Sequence, residues 1–255
     1  MEPWRTGAGL SASMAPLRFV GYCNRFQRQR STQGLALSLH CFFQHLDGGM
    51  HTEALTKAGL ELFPALTAFD DFYLAGGTAL ALQIGHRLSV DFDLFRDGPI
   101  DRTLLSTVTR VFPSFPVKPV INNRDQLTAF IGVVKLTFLS YPFPLIEPLV
   151  SIGGLRMLSV EEIGATKAYT IGRRGTYKDY VDLYFIIAEH HASLGEIIAM
   201  AERKFRHEFN SRLFAEQLLF MDDVQDYDID FLKQPVAAAD ITEFFRDRIR
   251  ELPLI

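Results

Sequence analysis

Cysteine is nearly absent from this 255-residue chain: Cys23 and Cys41 are the only two, both near the N-terminus. That scarcity excludes a disulfide-stapled scaffold. The pair matches no metal-binding spacing, so both residues read as free thiols in a reducing compartment. No apolar run approaches the roughly 20 residues needed to cross a bilayer, so no membrane anchor is expected and a cytoplasmic protein is. Excess charge of either sign is also missing, with 26 Lys and Arg against 30 Asp and Glu for a net −4. This balance argues against adhesion to nucleic acid over the whole surface, and leaves room for a local basic patch. A hydrophobic content of 48% is that of an ordinary globular protein, and the length suits one large domain or two modest ones.

Residues 1–49 differ from the rest. They hold five Arg and no Lys, both cysteines, the sole Trp, and only Glu2 and Asp47 as acids. The expectation is a disordered extension or a mis-assigned start, with Met50 as the true first residue; an organellar leader is the alternative.

From Met50 the pattern becomes regular. Apolar residues at helical spacing from His51 to Phe69 predict a helix. Strands are expected at Phe72–Ala75 and Val90–Phe95, with a helix between them over Thr78–Ile84. Ile100–Phe112 reads as a helix opened by Asp101, and Gln126–Leu139 as one or two further strands. Prolines 142, 144 and 148 then end the sheet, and the remainder reads as helical. The expected fold is α+β: a small mixed β-sheet core with flanking helices over 50–150, followed by a helical C-terminal subdomain over 151–255 that completes the active site.

Chemistry concentrates in two stretches. Tyr73-Leu74-Ala75-Gly76-Gly77-Thr78-Ala79-Leu80 is an apolar strand running through two glycines into a helix, a geometry that lets backbone N–H groups approach a phosphate. Ser89-Val90-Asp91-Phe92-Asp93-Leu94-Phe95 carries two carboxylates on one face of a strand. Held that close they repel unless a cation lies between them, and an all-oxygen site of this kind suits Mg²⁺ (or Mn²⁺) together with substrate phosphates. The competing reading of Gly76 and Gly77 is a tight turn without ligand, that of Thr78 a helix cap, and that of Ser89 local hydrogen bonding. Arg87 either holds a phosphate oxygen or fixes its loop by a salt bridge.

Gly76 to Leu80, His86-Arg87, Ser89 and Asp91 to Phe95 resemble the first motif of the nucleotidyl transferase AbiEii/AbiGii toxin family, within the polymerase-β-like nucleotidyltransferases. Glu161 to Ala168, Arg173-Arg174-Gly175 and Lys178-Asp179-Tyr180-Val181-Asp182 resemble its later helical motif. The resemblance implies a metal-dependent transfer of a nucleoside monophosphate from a nucleoside triphosphate to an acceptor hydroxyl, with RNA, particularly a tRNA 3′ end, as acceptor and a separate cognate antitoxin protein as partner. It implies a phosphate-contacting Lys167. Asp182 is then read as positioning Lys167 or the substrate, Arg173 and Arg174 as lying near the Lys167 face if that helix continues so far, and these arginines with Asp179 as nucleotide-binding. From the residues alone, Lys167 reads as a solvated mid-helix lysine, Asp179 as a cap, and Asp182 as an acid seeking a partner, either Lys178 four residues before it or an active-site Lys or Arg across the cleft. One departure stands out: the family pattern leads us to expect a third carboxylate where Thr137 lies, with Glu147 a weak substitute. Two further readings therefore stay open, a degenerate nucleotide- or partner-binding protein and a small-molecule (antibiotic) nucleotidyltransferase. Lys204, Arg203, Arg206 and His207 beside Phe205 and Phe209 read either as a grip on single-stranded RNA or as a solvated helix face, and the acidic run Asp222 to Asp228 as a solvated loop.

Overall fold

A computed structural model describes residues 49–221, 224 and 228–252. The expectation of an extension or mis-assigned start, both cysteines included, falls on residues 1–48 and lies outside the described residues. Those described belong to one compact unit spanning 44–255.

A seven-stranded mixed sheet organises that unit. Its strands are β1 (Tyr73–Ala75), β2 (Phe92–Arg96), β3 (Val117–Asn122), β4 (Gln126–Ile131), β5 (Val134–Ser140), β6 (Val150–Ile152) and β7 (Leu155–Met157), in the spatial order β3-β4-β5-β2-β1-β7-β6. The helices are α1 (Lys57–Leu62), α2 (Gly76–Ile84), α3 (Leu104–Val111), α4 (Val160–Arg174), α5 (Tyr177–Ala188), α6 (Leu194–Phe205), α7 (Ser211–Leu219) and α8 (Ala238–Arg250). The expected α+β class is the observed one. At its centre β2 runs antiparallel to β1 and parallel to β5, placing Ala75 opposite Asp93 and Asp93 opposite Thr137. Alternation explains the core: Phe92 and Leu94 of β2 and Leu136 and Phe138 of β5 are buried, while the intervening residues are partly exposed.

Several boundaries differ from the sequence reading, each for a local reason. The segment expected as one helix from His51 to Phe69 is α1 flanked by 3-10 turns at Thr52–Ala54 and Phe63–Ala68, because Thr56 caps a new start and Pro64 blocks continuation. Strand β3 was not expected: it is an exposed edge carrying Pro119, with a register shift between Pro119 and Ile121. The chain does not become helical directly after Pro148. Gly153 and Gly154, both at positive φ, turn a short hairpin whose second strand, β7, pairs parallel with β1.

The helices of the C-terminal half start where their caps place them. Thr176 with Asp179, and Ser193 with Glu196, form reciprocal capping boxes for α5 and α6. At α4 only half of that arrangement forms. Ser159 accepts from the Glu162 amide, but the Glu162 side chain turns inward instead, taking the Ile146 and Glu147 amides at 3.0 Å and the Lys204 ammonium at 2.6 Å. Both partners of this ion pair are buried. It ties α4 and α6 to the proline-rich loop after β5. Replacing Glu162 by Gln should strand the Lys204 charge in the interior and cost about 3–5 kcal/mol. Chemical denaturation is the measurement, and a double Glu162→Leu/Lys204→Met variant should recover much of the loss.

Candidate active site

Where β1 ends and α2 begins, the chain must come close to two charged neighbours, and glycine is what permits it. Gly76 adopts φ +67, and a Cβ there would lie 2.9 Å from Asp93 Oδ2. A Cβ on Gly77 would collide with the Arg87 guanidinium. Thr78 is buried and its hydroxyl is occupied, lying 2.7 Å from Ser89 Oγ and donating to the Asp91 carbonyl. Thr78 and Ser89 thus bind the start of α2 to the approach of β2.

The loop between α2 and β2 turns His86 and Arg87 inward onto Asp182 of α5. Arg87 donates from Nε at 2.6 Å to Oδ1 and from Nη2 at 2.9 Å to Oδ2. His86 Nε2 lies 2.7 Å from Oδ1. Because a carboxylate only accepts, that nitrogen carries the proton. Lys167, from the middle of α4, approaches Asp182 Oδ2 at 2.6 Å and donates to Asp179 Oδ1 at 2.7 Å. Asp182 is fully buried. Burial pushes its pKa up, but Arg87, Lys167 and the His86 hydrogen bond outweigh that and hold it well below the usual carboxylate range. Burial would lower the Lys167 pKa, yet Asp182 and Asp179 raise it overall, so the ammonium stays charged. Burial also keeps His86 neutral, its pKa lowered in spite of Asp182.

Asp91 and Asp93 stand across from this cluster. Asp93 is partly covered, and burial raises its pKa, Lys135 pulling the other way and Asp91 adding to the rise. Asp91 Oδ2 meets the Lys135 ammonium at 2.5 Å. A cleft of about 210 Å³ joins the two halves, lined by Gly77, Thr78, Arg87, Ser89, Asp91, Asp93, Lys167, Lys178 and Asp179, with Asp228 and Asp230 closing another side. The latter segment is held by the Leu88 amide donating to the Asp230 carbonyl and by the Leu232 amide donating to the His86 carbonyl.

Most residues expected at the site are therefore brought together, with exceptions. Arg173 and Arg174 lie on the exposed end of α4 and do not line the cleft; Arg173 stacks over Tyr169 and pairs with Glu208. Of the two kinds of partner expected for Asp182, Lys178 is not used; a lysine and an arginine across the cleft, Lys167 and Arg87, are, together with His86. Lys167 is buried, not solvated, and Asp179 serves both as cap and as ion-pair partner. Glu147 does not line the cleft; its amide is tied to Glu162. Lys204 and Phe205 are buried, which removes them from a surface grip on RNA. Lys135 was missed as a site residue, although its spacing two before Thr137 repeats that of Asp91 and Asp93. Asp228 was missed because the acidic run Asp222 to Asp228 read as a solvated loop, and Asp230, just beyond that run, carries no motif that would have pointed to it.

Among the described residues no three His, Cys, Asp or Glu side chains converge on a point where a metal ion would sit. Two carboxylates with oxygen-rich surroundings fit an ion such as Mg²⁺ that takes few protein ligands and completes its shell with water and phosphate. No helix among the described residues is long and apolar enough to cross a membrane.

Residues 60–254 match the family described as nucleotidyl transferase AbiEii toxin of a type IV toxin–antitoxin system. An uncharacterized protein of Aquifex aeolicus is 28% identical over 199 residues, 76% of this chain and 94% of that protein. Among solved structures, the nucleotidyltransferase toxin MenT4 from Mycobacterium tuberculosis is 20% identical, covering 75% of this chain and 81% of its own, with a TM-score of 0.53. JHP933 from Helicobacter pylori is 16% identical, covering 73% and 89%, with a TM-score of 0.44.

The Asp182 cluster makes one prediction for stability. Asp182→Asn leaves Arg87 and Lys167 buried without their countercharge and should cost about 3–5 kcal/mol at neutral pH. The folded pKa is depressed, so the contribution is present above the unfolded carboxylate value near 4 and is lost as pH falls through the folded value. Urea midpoints of the two proteins should accordingly differ most near neutrality and converge under strong acid.

Proposed function

The chain belongs to the AbiEii family of nucleotidyl transferase toxins, which makes it a transferase with a nucleotide substrate and an antitoxin as counterpart, and from that premise we propose how its cleft works. The reaction is transfer of a nucleoside monophosphate from a nucleoside triphosphate to an acceptor hydroxyl, with RNA, in particular a tRNA 3′ end, as acceptor. The single observation that carries this reading is the facing of Asp91 and Asp93 by a buried, charge-locked Lys167 across one small cleft.

Asp91 and Asp93 would hold Mg²⁺ or Mn²⁺. Such an ion, when bound, supplies positive charge to the phosphates and orients them. Lys167 has three N–H donors, of which Asp179 and Asp182 take two, leaving the third for a phosphate oxygen of the leaving pyrophosphate. Arg87 is engaged with Asp182 and the Leu88 carbonyl, so its role is to fix Lys167's partner in place. Gly76 and Gly77 let the turn pass close to Asp93 and Arg87, and the amides at the start of α2, where Gly77 lines the cleft, would face the phosphates, with Thr78 and Ser89 bracing that turn. The acceptor oxygen bonds to the α-phosphorus as the bond to pyrophosphate breaks, and the hydroxyl proton leaves to water, since Thr137 stands where an acidic base would. Residues 50–150 thereby furnish the carboxylates, and 151–255 furnish Lys167, Asp179 and Asp182. Phosphoryl transfer asks mainly for such positioning and charge.

Thr137 opposite Asp93 is the observation that favours the second reading, a protein that binds nucleotide without transferring it. The test incubates the purified chain with Mg²⁺, total tRNA and each α-labelled nucleoside triphosphate. Label should appear on RNA and fall by on the order of a hundredfold or more in Asp91→Asn/Asp93→Asn. Asp93 has a raised pKa, so asparagine suits its surroundings and that variant should remain folded. Nucleotide binding without label on any acceptor would decide for the binding protein.

A further inference from the structure

The parallel register of β2 and β5 sets Asp93 opposite Thr137, and Asp91, in the residue before β2, meets Lys135 of β5 through its side chain. Contact between them is direct, Lys135 Nζ to Asp91 Oδ2 at 2.5 Å, and both side chains keep roughly a third or more of their surface open, 40% and 34%. They stand at the accessible side of the carboxylate pair. Thr137 completes the square with a neutral hydroxyl, itself 3.4 Å from the Thr128 hydroxyl.

An acid at position 137 would have put three carboxylates side by side, an arrangement balanced by two divalent ions. The chain instead carries a threonine there and an ammonium next to it. Two carboxylates, one ammonium and one divalent ion bear the same net charge as three carboxylates and two divalent ions. We propose that Lys135 supplies the second positive charge of the transfer site, so that the carboxylate pair takes a single divalent ion. This rests on the reading of Asp91 and Asp93 as metal ligands. A lysine suits the task because its compact charge sits on a flexible stem with three rotatable donors: one holds Asp91 and the others stay available to an acceptor or phosphate oxygen. Charge developing in transfer then meets a cation fixed by the protein.

Counting bound ions tests this separately from activity. Mn²⁺ is titrated by electron paramagnetic resonance into the full chain with an equimolar non-hydrolysable nucleoside triphosphate, and label transfer is measured alongside. Wild type should bind one Mn²⁺ per chain. Lys135→Met should bind that ion about tenfold more tightly, because Asp91 loses a competing cation, yet transfer on the order of a hundredfold more slowly at saturating Mn²⁺. Lys135→Arg should retain most of the rate, and Lys135→Met/Thr137→Glu should bind a second ion. Two ions in the wild type would overturn the proposal. So would Lys135→Met with an undiminished rate, which would make the lysine only a competitor of the metal, or with weaker Mn²⁺ binding, which would make it only a strut. If Asp91→Asn/Asp93→Asn binds Mn²⁺ as well as wild type does, the metal reading itself fails; one ion bound and lost in that variant leaves the reading standing whatever Lys135 does.

Discussion

Three charged or polar side chains from two other parts of the chain end on one buried carboxylate, that of Asp182. Such a group cannot be left alone in the interior, where an unpaired ion costs several kcal/mol. His86 and Arg87 come from the loop before β2, Lys167 from α4, and Asp182 itself from α5. Satisfying one acid therefore fixes the loop that feeds the carboxylate strand against the two helices that carry the lysine. The demand extends outward through the backbone. The His86 carbonyl accepts from Leu232, and the segment with Asp228 and Asp230 is thereby carried to the cleft rim. Geometry at the site follows from an electrostatic debt in the core.

A second buried pair, Glu162 with Lys204, does the same work elsewhere in the unit. It joins α4 to α6 and to the loop of Pro142, Pro144 and Pro148. Helix α4 is thus pinned by ion pairs through Glu162 near its start and Lys167 at its middle, which sets Lys167 against displacement along the helix axis. Around Glu162 the packing is aromatic: Tyr169 stacks on Phe205 at 4.0 Å, and Phe143 meets both edge-on. Those contacts bury Phe205, which the sequence reading placed on a solvated helix face or, as the alternative, in a grip on single-stranded RNA.

The first motif was legible because its chemistry is local. Glycines at a strand-to-helix junction and acids two apart point to one place from within a short stretch, and Gly77, Asp91 and Asp93 do line one cleft, while Gly76 serves the close approach to Asp93. The later motif was legible in composition and partly in partners. For Asp182 the sequence offered Lys178 or an active-site Lys or Arg across the cleft; the fold takes the second, with Lys167 from α4 and Arg87 from about 95 positions away, and adds His86, which spacing did not suggest. Strand β3 and the hairpin of β6 and β7 escaped because pairing with neighbours, not alternation of their own residues, makes them strands. Arg174 returns to the Lys167 face after two turns, yet α4 extends it beyond the cleft, so periodicity alone overestimated the arginines.

The contrast between the two ends of the cleft constrains how a nucleotide can lie in it. Lys167 is fixed between two aspartates and presents one remaining donor, while Asp228 and Asp230 add negative charge on another wall. On the proposed reading, a triphosphate would be repelled by those acids and drawn to the lysine and the start of α2. Base and sugar, which carry N–H and O–H donors that carboxylates accept, would then be the parts directed toward Asp228 and Asp230. These two acids, of which the sequence reading assigned only Asp228 to solvent, would on that reading discourage a reversed nucleotide. Such discrimination works by repulsion as much as by attraction, and it requires no contact with the reacting phosphorus.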